Sequence, residues 1–324
     1  MLNRKRTAAL GLSLALFIIS FSASATVQAE SKLNFPRLSA EESTLTGIAI
    51  VNPSATDAVV TFTAFGADGQ PVPGALVPAP LTIKAGEQLP PKLTSDLFGT
   101  DLDPATVGWF QATSPTDGLV GFFLFLNFPT TVFDGADVPA SFDKLDFVQV
   151  RIDSDYTTEL NIINPNATAA EMELKLLGGA STATRPQSIP AMGAVRLDVQ
   201  NFFGIATPSA SDQYVTVTSD VKVAGFELVR APTGDLVGLG ARSGDEKLSQ
   251  LYFPQVAVFG GYETSLGVVN NSSSSVVLDI RFFDPSGVLV ADATAPLNPG
   301  SILVEDLAAL LSLTGTALLP GWRS

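Results

Sequence analysis

Asp153-Ser154-Asp155, followed by Tyr156, comes nearer to a metal site than any other stretch of this sequence. Two carboxylates close together in a turn are the kind of ligand that a hard cation such as calcium takes, so Asp153 and Asp155 are candidate calcium ligands. Asp101-Leu102-Asp103 repeats the spacing in a loop with Pro104. Neither run has the Asp-rich character of an EF-hand loop, and a solvated turn accounts for both. Neither pair has a visible partner for general acid–base work, so no catalytic residue is assigned.

Two absences narrow the chemistry further. The chain has no histidine and no cysteine. Ser-His-Asp and Cys-His nucleophile systems are therefore excluded, as are the usual His- or Cys-ligated zinc sites. No disulfide staples the fold, so each domain must stand on its own apolar core. Folding without metal, cofactor or disulfide is the expectation.

Other candidates are binding features. Trp109, Tyr214 and Trp322 recur as a column of aromatics that could stack on sugars; their place at strand starts favours core anchors instead. Asn270-Asn271-Ser272-Ser273-Ser274-Ser275 reads as a polar loop tip, where modules of this kind often place binding function.

The elements that must position these residues come in repeats. TGIAIVNPSAT (46–56), TELNIINPNAT (158–168) and TSLGVVNNSSS (264–274) share Thr, an aliphatic position, two further apolar positions and Asn. The asparagines Asn52, Asn164 and Asn270 are spaced by 112 and 106 residues, and Gly86, Gly193 and Gly300 by 107 and 107. Asn34-Phe35-Pro36, Asp146-Phe147-Val148 and Tyr252-Phe253-Pro254 open the three units in the same order. Landmarks in one order at one period mean a tandem array of units of roughly 105 residues.

Within a unit the pattern is strand after strand. Ala58–Phe65 alternates apolar and polar residues, and Ala67-Asp68-Gly69-Gln70 and Asp284-Pro285-Ser286-Gly287 are turn sequences. Asn-Pro after the shared run is a strand corner. Asn bonds its own backbone two residues on, and Pro cannot donate to a ladder. The Thr and Asn columns are accordingly read as structural. One helical turn is expected near Leu93–Phe98, Leu197–Phe203 and Val304–Leu311. After it come an aromatic-led strand (Val215–Ser219 in the second unit) and a closing hairpin, there Lys222–Val229 with Leu236–Ala241. The prediction is all-β: tandem immunoglobulin-like antiparallel sandwiches with a short helical turn in each.

The spans expected are a signal peptide (1–29), repeat 1 (30–141), repeat 2 (142–245) and repeat 3 (246–324), the last incomplete at its C-terminus. The leader has Arg4, Lys5 and Arg6, an uncharged apolar run from Ala8 to Phe21, and small-residue sites at Ala23-Ser24-Ala25 and Val27-Gln28-Ala29. Its alternative is an uncleaved anchor. Export places the chain outside the cytoplasm: extracellular, periplasmic or on the cell surface. The formal charge is −14, and −17 once the leader's three bases are gone, which disfavours nucleic acid and anionic membranes as partners. Repeat 3 stops at Gly321-Trp322-Arg323-Ser324, where its siblings begin a strand and hairpin. Either the array continues or a strand from a partner completes it.

The Phe-Pro opening, the Thr-x-Leu/Ile run into Asn-Pro, the Asp-Gly turn and the Gly-Trp opening resemble repeats of secreted bacterial proteins. They are similar in layout to the immunoglobulin-like and fibronectin-type-III-like modules of bacterial surface proteins. The resemblance spans nearly the whole mature chain and implies architecture, with no catalytic or cofactor residues to carry over. The expected function is a non-enzymatic, structural, adhesive or protein-binding role outside the cytoplasm. The rival is a carbohydrate-binding or accessory module of an extracellular hydrolase, calcium-dependent if Asp153 and Asp155 bind metal.

Overall fold

The computed structural model describes residues 30–40, 44–127, 132–153, 155–179, 182–206, 213–231, 236–253, 256 and 264–312. The leader, Ser154 and Trp322 lie outside the described residues. The chain is all-β: the described residues form twenty strands, antiparallel in every ladder, and three helices of one turn.

In unit 1, one sheet has the order β4-β3-β6-β1, formed by β1 (Ser31–Phe35), β3 (Ala58–Gly66), β4 (Leu81–Ile83) and β6 (Val107–Ser114). The other has the order β5-β2-β7-β8, from β2 (Thr44–Val51), β5 (Lys92–Leu93), β7 (Val120–Asn127) and β8 (Val132–Asp137). The helical turn α1 (Thr94–Phe98) crosses between them. Alternation puts the inward residues into one core: Val60 and Phe62 of β3 are buried while Val59 and Thr61 face out. Phe35 stacks on Phe110, ring centroids 4.5 Å apart, and meets Phe123 edge-on at 6.3 Å. Second strand beside fifth and third beside sixth are neighbours that the immunoglobulin sandwich also uses; here the seventh strand lies beside the second.

Unit 2 repeats each ladder of unit 1 and adds a short one, in which Arg242 and Ser243 pair Asp146 and Leu145. β11 (Ala170–Gly178) pairs β12 (Ala183–Ile189), and β10 (Thr157–Ile163) pairs β13 (Ala194–Asp198) ahead of the turn α2 (Val199–Phe203). One difference corrects the sequence reading. The aromatic-led strand and the first strand of the closing hairpin are a single strand, β14 (Gln213–Arg230). Its first half pairs β11 and β9 (Phe142–Val150); its second half pairs β10 and β15 (Leu236–Gly240). A register shift between Thr218 and Val223 lets it change sheets.

Unit 3 contains β17 (Ser265–Val269) with β20 (Ile302–Asp306), and β18 (Val276–Phe283) with β19 (Leu289–Leu297), followed by α3 (Leu307–Leu310). The β18–β19 turn is the expected Asp-Pro-Ser-Gly, with Asp284 Oδ1 accepting from the Ser286 and Val288 N–H groups and Gly287 at φ 84°.

Candidate functional site

The Thr and Asn columns build each unit's corner. Asn52 Nδ2 donates to the carbonyls of Thr56, Ile83 and Lys84 at 2.8, 3.1 and 3.2 Å. Asn164 does the same to Thr168, Ile189 and Pro190, and Asn270 to Ser274 and Leu297. In each case Oδ1 accepts the N–H two residues on. One buried amide thus ends the second strand and ties it to the turn before the fifth. Thr158 clamps the chain after the first strand, exchanging hydrogen bonds with the Arg151 backbone.

That Asn-clamped turn is also the docking point for the preceding unit. Trp109 Nε1 donates to the Met192 carbonyl at 2.7 Å, and Tyr214 Oη donates to the Gly300 carbonyl at 2.9 Å. Trp109 and Tyr214 of the aromatic column therefore anchor joints between units, where the sequence reading placed them inside each core. Trp109 is fully buried, stacked on Phe65 with centroids 4.8 Å apart.

The joint also moves the glycine column by one residue. Asn52 N–H donates to the Glu87 carbonyl, Asn164 to Gly193 and Asn270 to Ser301, so Met192 is the true partner of Gly86 and Gly300. All three carry the turn's left-handed backbone, with φ 70°, 56° and 67°. Gly193 is required for a different reason. A Cβ there would lie 2.7 Å from the Ala67 carbonyl oxygen of unit 1, so the glycine stands where the units touch and Met192 takes the left-handed position.

Charged and aromatic residues complete the first joint. Arg37, buried, donates from Nη1 to the Glu159 carboxylate and to Asn161 Oδ1, and Arg196 donates to the Leu38 carbonyl. Phe226 and Leu228 point away from unit 2's own interior and join unit 1's core. Glu159, Asn161 and Phe226 sit at positions that sequence alternation assigns to solvent; the signal that was available is their concentration on one face of β10 and β14.

Glu227 is the functional-type residue that the sequence reading missed. Its partner on β10 is Leu160, as Ile48 is the partner of Phe123 on β7, so a carboxyl occupies the core position of an aromatic. Oε1 accepts the Gln149 N–H at 3.0 Å, and Oε2 has no partner. Burial pushes its pKa up to about 8, against the lowering pull of the Gln149 and Val148 N–H groups. Burial thus favours its protonated form. Burial likewise raises Asp134 and Asp146, and Tyr214 is raised by burial and then by nearby Asp146.

The remaining candidates hold turns. Asp153 Oδ1 accepts the Asp155 and Tyr156 N–H groups at 2.7 and 2.8 Å, while Arg151 lies 3.7 Å from Oδ2 and 3.6 Å above the Tyr156 ring. Asp155 is exposed. Asp103 accepts from the Ala105 N–H. Among the described residues, no three acidic side chains gather to hold a metal ion. The loop tip at Asn270 is also not free: Asn271 Nδ2 donates to the Gly244 carbonyl at 3.0 Å and to Asp146 Oδ2 at 3.3 Å, fastening unit 3 to unit 2. The described helices include none long and apolar enough to cross a membrane.

No family model matches the chain, and no curated protein matches it. Two solved structures are similar at a low level. Thermotoga maritima 1070 is 15% identical over 31% of this chain and 93% of its own, with a TM-score of 0.29. A chain named BspA_C_WT is 8% identical over 66% of this chain and 91% of its own, with a TM-score of 0.18. At these scores neither bears on fold or function.

Proposed function

We propose that this chain is an exported, non-enzymatic β-sandwich repeat protein with a structural, adhesive or protein-binding role outside the cytoplasm. The observation that carries this reading is the repeated joint: Trp109 to Met192 and Tyr214 to Gly300. A buried donor aimed at the next unit's turn holds successive sandwiches in a set relation, which suits a scaffold that presents surfaces. The leader motif supports export. The acids support a non-catalytic role: Asp153 holds a turn, Asp146 a joint, and Glu227 lies in a core.

The test is expression of the full chain with its own leader in a bacterial host, followed by fractionation and measurement of cell attachment to protein-coated and glycan-coated surfaces. Export with attachment to protein is expected. Retention in the cytoplasm, or attachment to glycan alone, overturns the reading.

A further inference from the structure

Glu227 lies beneath the joint between units 2 and 3. In β9, Val148 and Gln149 form a bulge: Phe147 pairs Val215 and Val150 pairs Gln213, so two residues stand opposite Tyr214 alone. Both bulge N–H groups turn to the Glu227 carboxyl, that of Gln149 at 3.0 Å from Oε1. Unit 3 docks on the same spot. Tyr214 Oη donates to the Gly300 carbonyl at 2.9 Å. A Cβ at Gly267 would lie 3.5 Å from the Val148 carbonyl oxygen, so β17 rests against the bulge. One buried carboxyl therefore holds the backbone on which unit 3 sits.

Unit 1 fills the same positions with groups that do not titrate. Phe123 stands where unit 2 has Glu227, Pro36 where it has Val148, and Trp109 where it has Tyr214. Proline has no N–H that needs an acceptor. The first joint is also tied by Arg37 to Glu159 and by the insertion of Phe226 into unit 1's core.

The setting of Glu227 leaves it no way to carry charge in place. Oε2 is buried without a partner, and the residues paired with Glu227 on the flanking strands are Leu160 and Leu239. The charged side chains of the surrounding strands are engaged elsewhere or exposed. Lys144 pairs Asp245, Asp146 accepts from Asn271, Glu159 pairs Arg37, and Asp143 faces solvent; β15 and β17 carry no charge. An ionised carboxylate there needs water. Val148 and Gln149 are the half-buried stretch of β9 between buried Phe147 and Val150, so water reaches the carboxyl through the bulge and lifts it from β17.

We propose that the joint between units 2 and 3 is a proton-controlled hinge: Glu227 keeps the bulge seated while it holds its proton, and on losing it frees unit 3 to swing, with the first joint unaffected. The sign follows from burial. Docked, the carboxyl is pushed up to about 8; released and hydrated, it returns toward 4.5. Docking is therefore fully favoured below the released value and is lost as pH climbs through the docked one, the released fraction growing on the order of tenfold per pH unit above it. Tyr214, pushed above its usual 10.0, keeps its proton over that range and still donates when unit 3 is docked. The inference deepens the scaffold reading by naming what regulates the set relation between two units, and it rests on the joint that carries that reading.

The chain has no cysteine, so spin labels can be placed on introduced ones alone. Thr184→Cys with Thr294→Cys reports across the second joint, and Val59→Cys with Thr184→Cys across the first; all three sites are exposed. Distance distributions are measured on the full chain at about pH 6 and about pH 9, either side of the docked value. The second-joint distance is expected to be narrow at the lower pH and broad at the higher. Glu227→Gln, which keeps an acceptor for the bulge and cannot ionise, should stay narrow at both, and the first-joint distance should not change. In the unlabelled parent, exchange of the Val148 and Gln149 amides, corrected for the intrinsic effect of pH, should accelerate on the order of tenfold over this range, while that of Leu174 should not. Three results overturn the inference: a parent whose second joint is equally narrow at both values, a broadening that Glu227→Gln retains, or a broadening of the first joint alongside the second, which would mean that unit 2 opens as a whole. Export and cell attachment are measured separately, so the two readings fail separately.

Discussion

Phe226 of unit 2 stacks on Phe125 of unit 1, their ring centroids 5.2 Å apart and their planes 7° from parallel, and it meets Phe123 edge-on at 5.3 Å. The strand that carries Phe226 is central to unit 2, so a residue of one sandwich completes the core of its neighbour. Truncating a buried Phe costs about 3–5 kcal/mol, as lost burial and a cavity. For Phe226→Ala the loss is expected to appear in unit 1. Hydrogen exchange should accelerate in β2 and β7 and stay unchanged in β11 and β12; the reverse pattern would place the residue in unit 2's own core.

Asn164 satisfies three carbonyls with one buried amide group. Asn164→Ala leaves them without this donor and should cost about 3 kcal/mol, read from chemical denaturation. Asn164→Asp keeps an acceptor for the Asn166 N–H but cannot donate when ionised, so it should be at least as damaging at neutral pH. A tolerated Asp variant would mean that the corner is held by its backbone hydrogen bonds alone.

Glu227 should make the chain less stable as pH rises. Its folded pKa, about 8, lies above the reference value of 4.5, so between these the folded state holds a proton that the unfolded state has released. Stability from this group is fully present below the unfolded value and is lost as pH climbs through the folded one, at up to about 1.4 kcal/mol per pH unit. Asp134 and Asp146, raised by burial, act in the same direction at the acid end. Glu227→Gln removes the titration. Denaturation at pH 5 and pH 8 should show a smaller difference for the variant than for the parent, with the variant the more stable at pH 8.

Asp153 holds a turn through two backbone N–H groups. Asp153→Ala should cost about 1 kcal/mol, and by the same amount in calcium-containing and chelated buffer. The parent's melting temperature should not respond to chelator. A fall of many degrees on chelation would restore Asp153 and Asp155 as calcium ligands.

The sequence by itself determined the class of structure and the repeat. Alternation along Ala58–Phe65 fixes which side of a strand is buried, and Asn-Pro after the shared run fixes where it ends, because both effects are local to a few residues. The absence of His and Cys bounded the chemistry without any structure. The tertiary structure decided what the outward residues do. Alternation distinguishes two faces of a strand, but cannot tell whether the outer one meets water or the next unit. Arg37, Glu159, Trp109 and Phe226 therefore took their roles from a joint formed by residues up to 158 positions apart. The glycine at 193 shows the same limit: sequence aligned it with Gly86 and Gly300, while the fold gives the left-handed position to Met192 and sets residue 193 against unit 1. Glu227 is the remaining case. A carboxyl in an apolar run looks like a surface residue until its neighbours on β9 and β10 enclose it, and that enclosure raises its pKa.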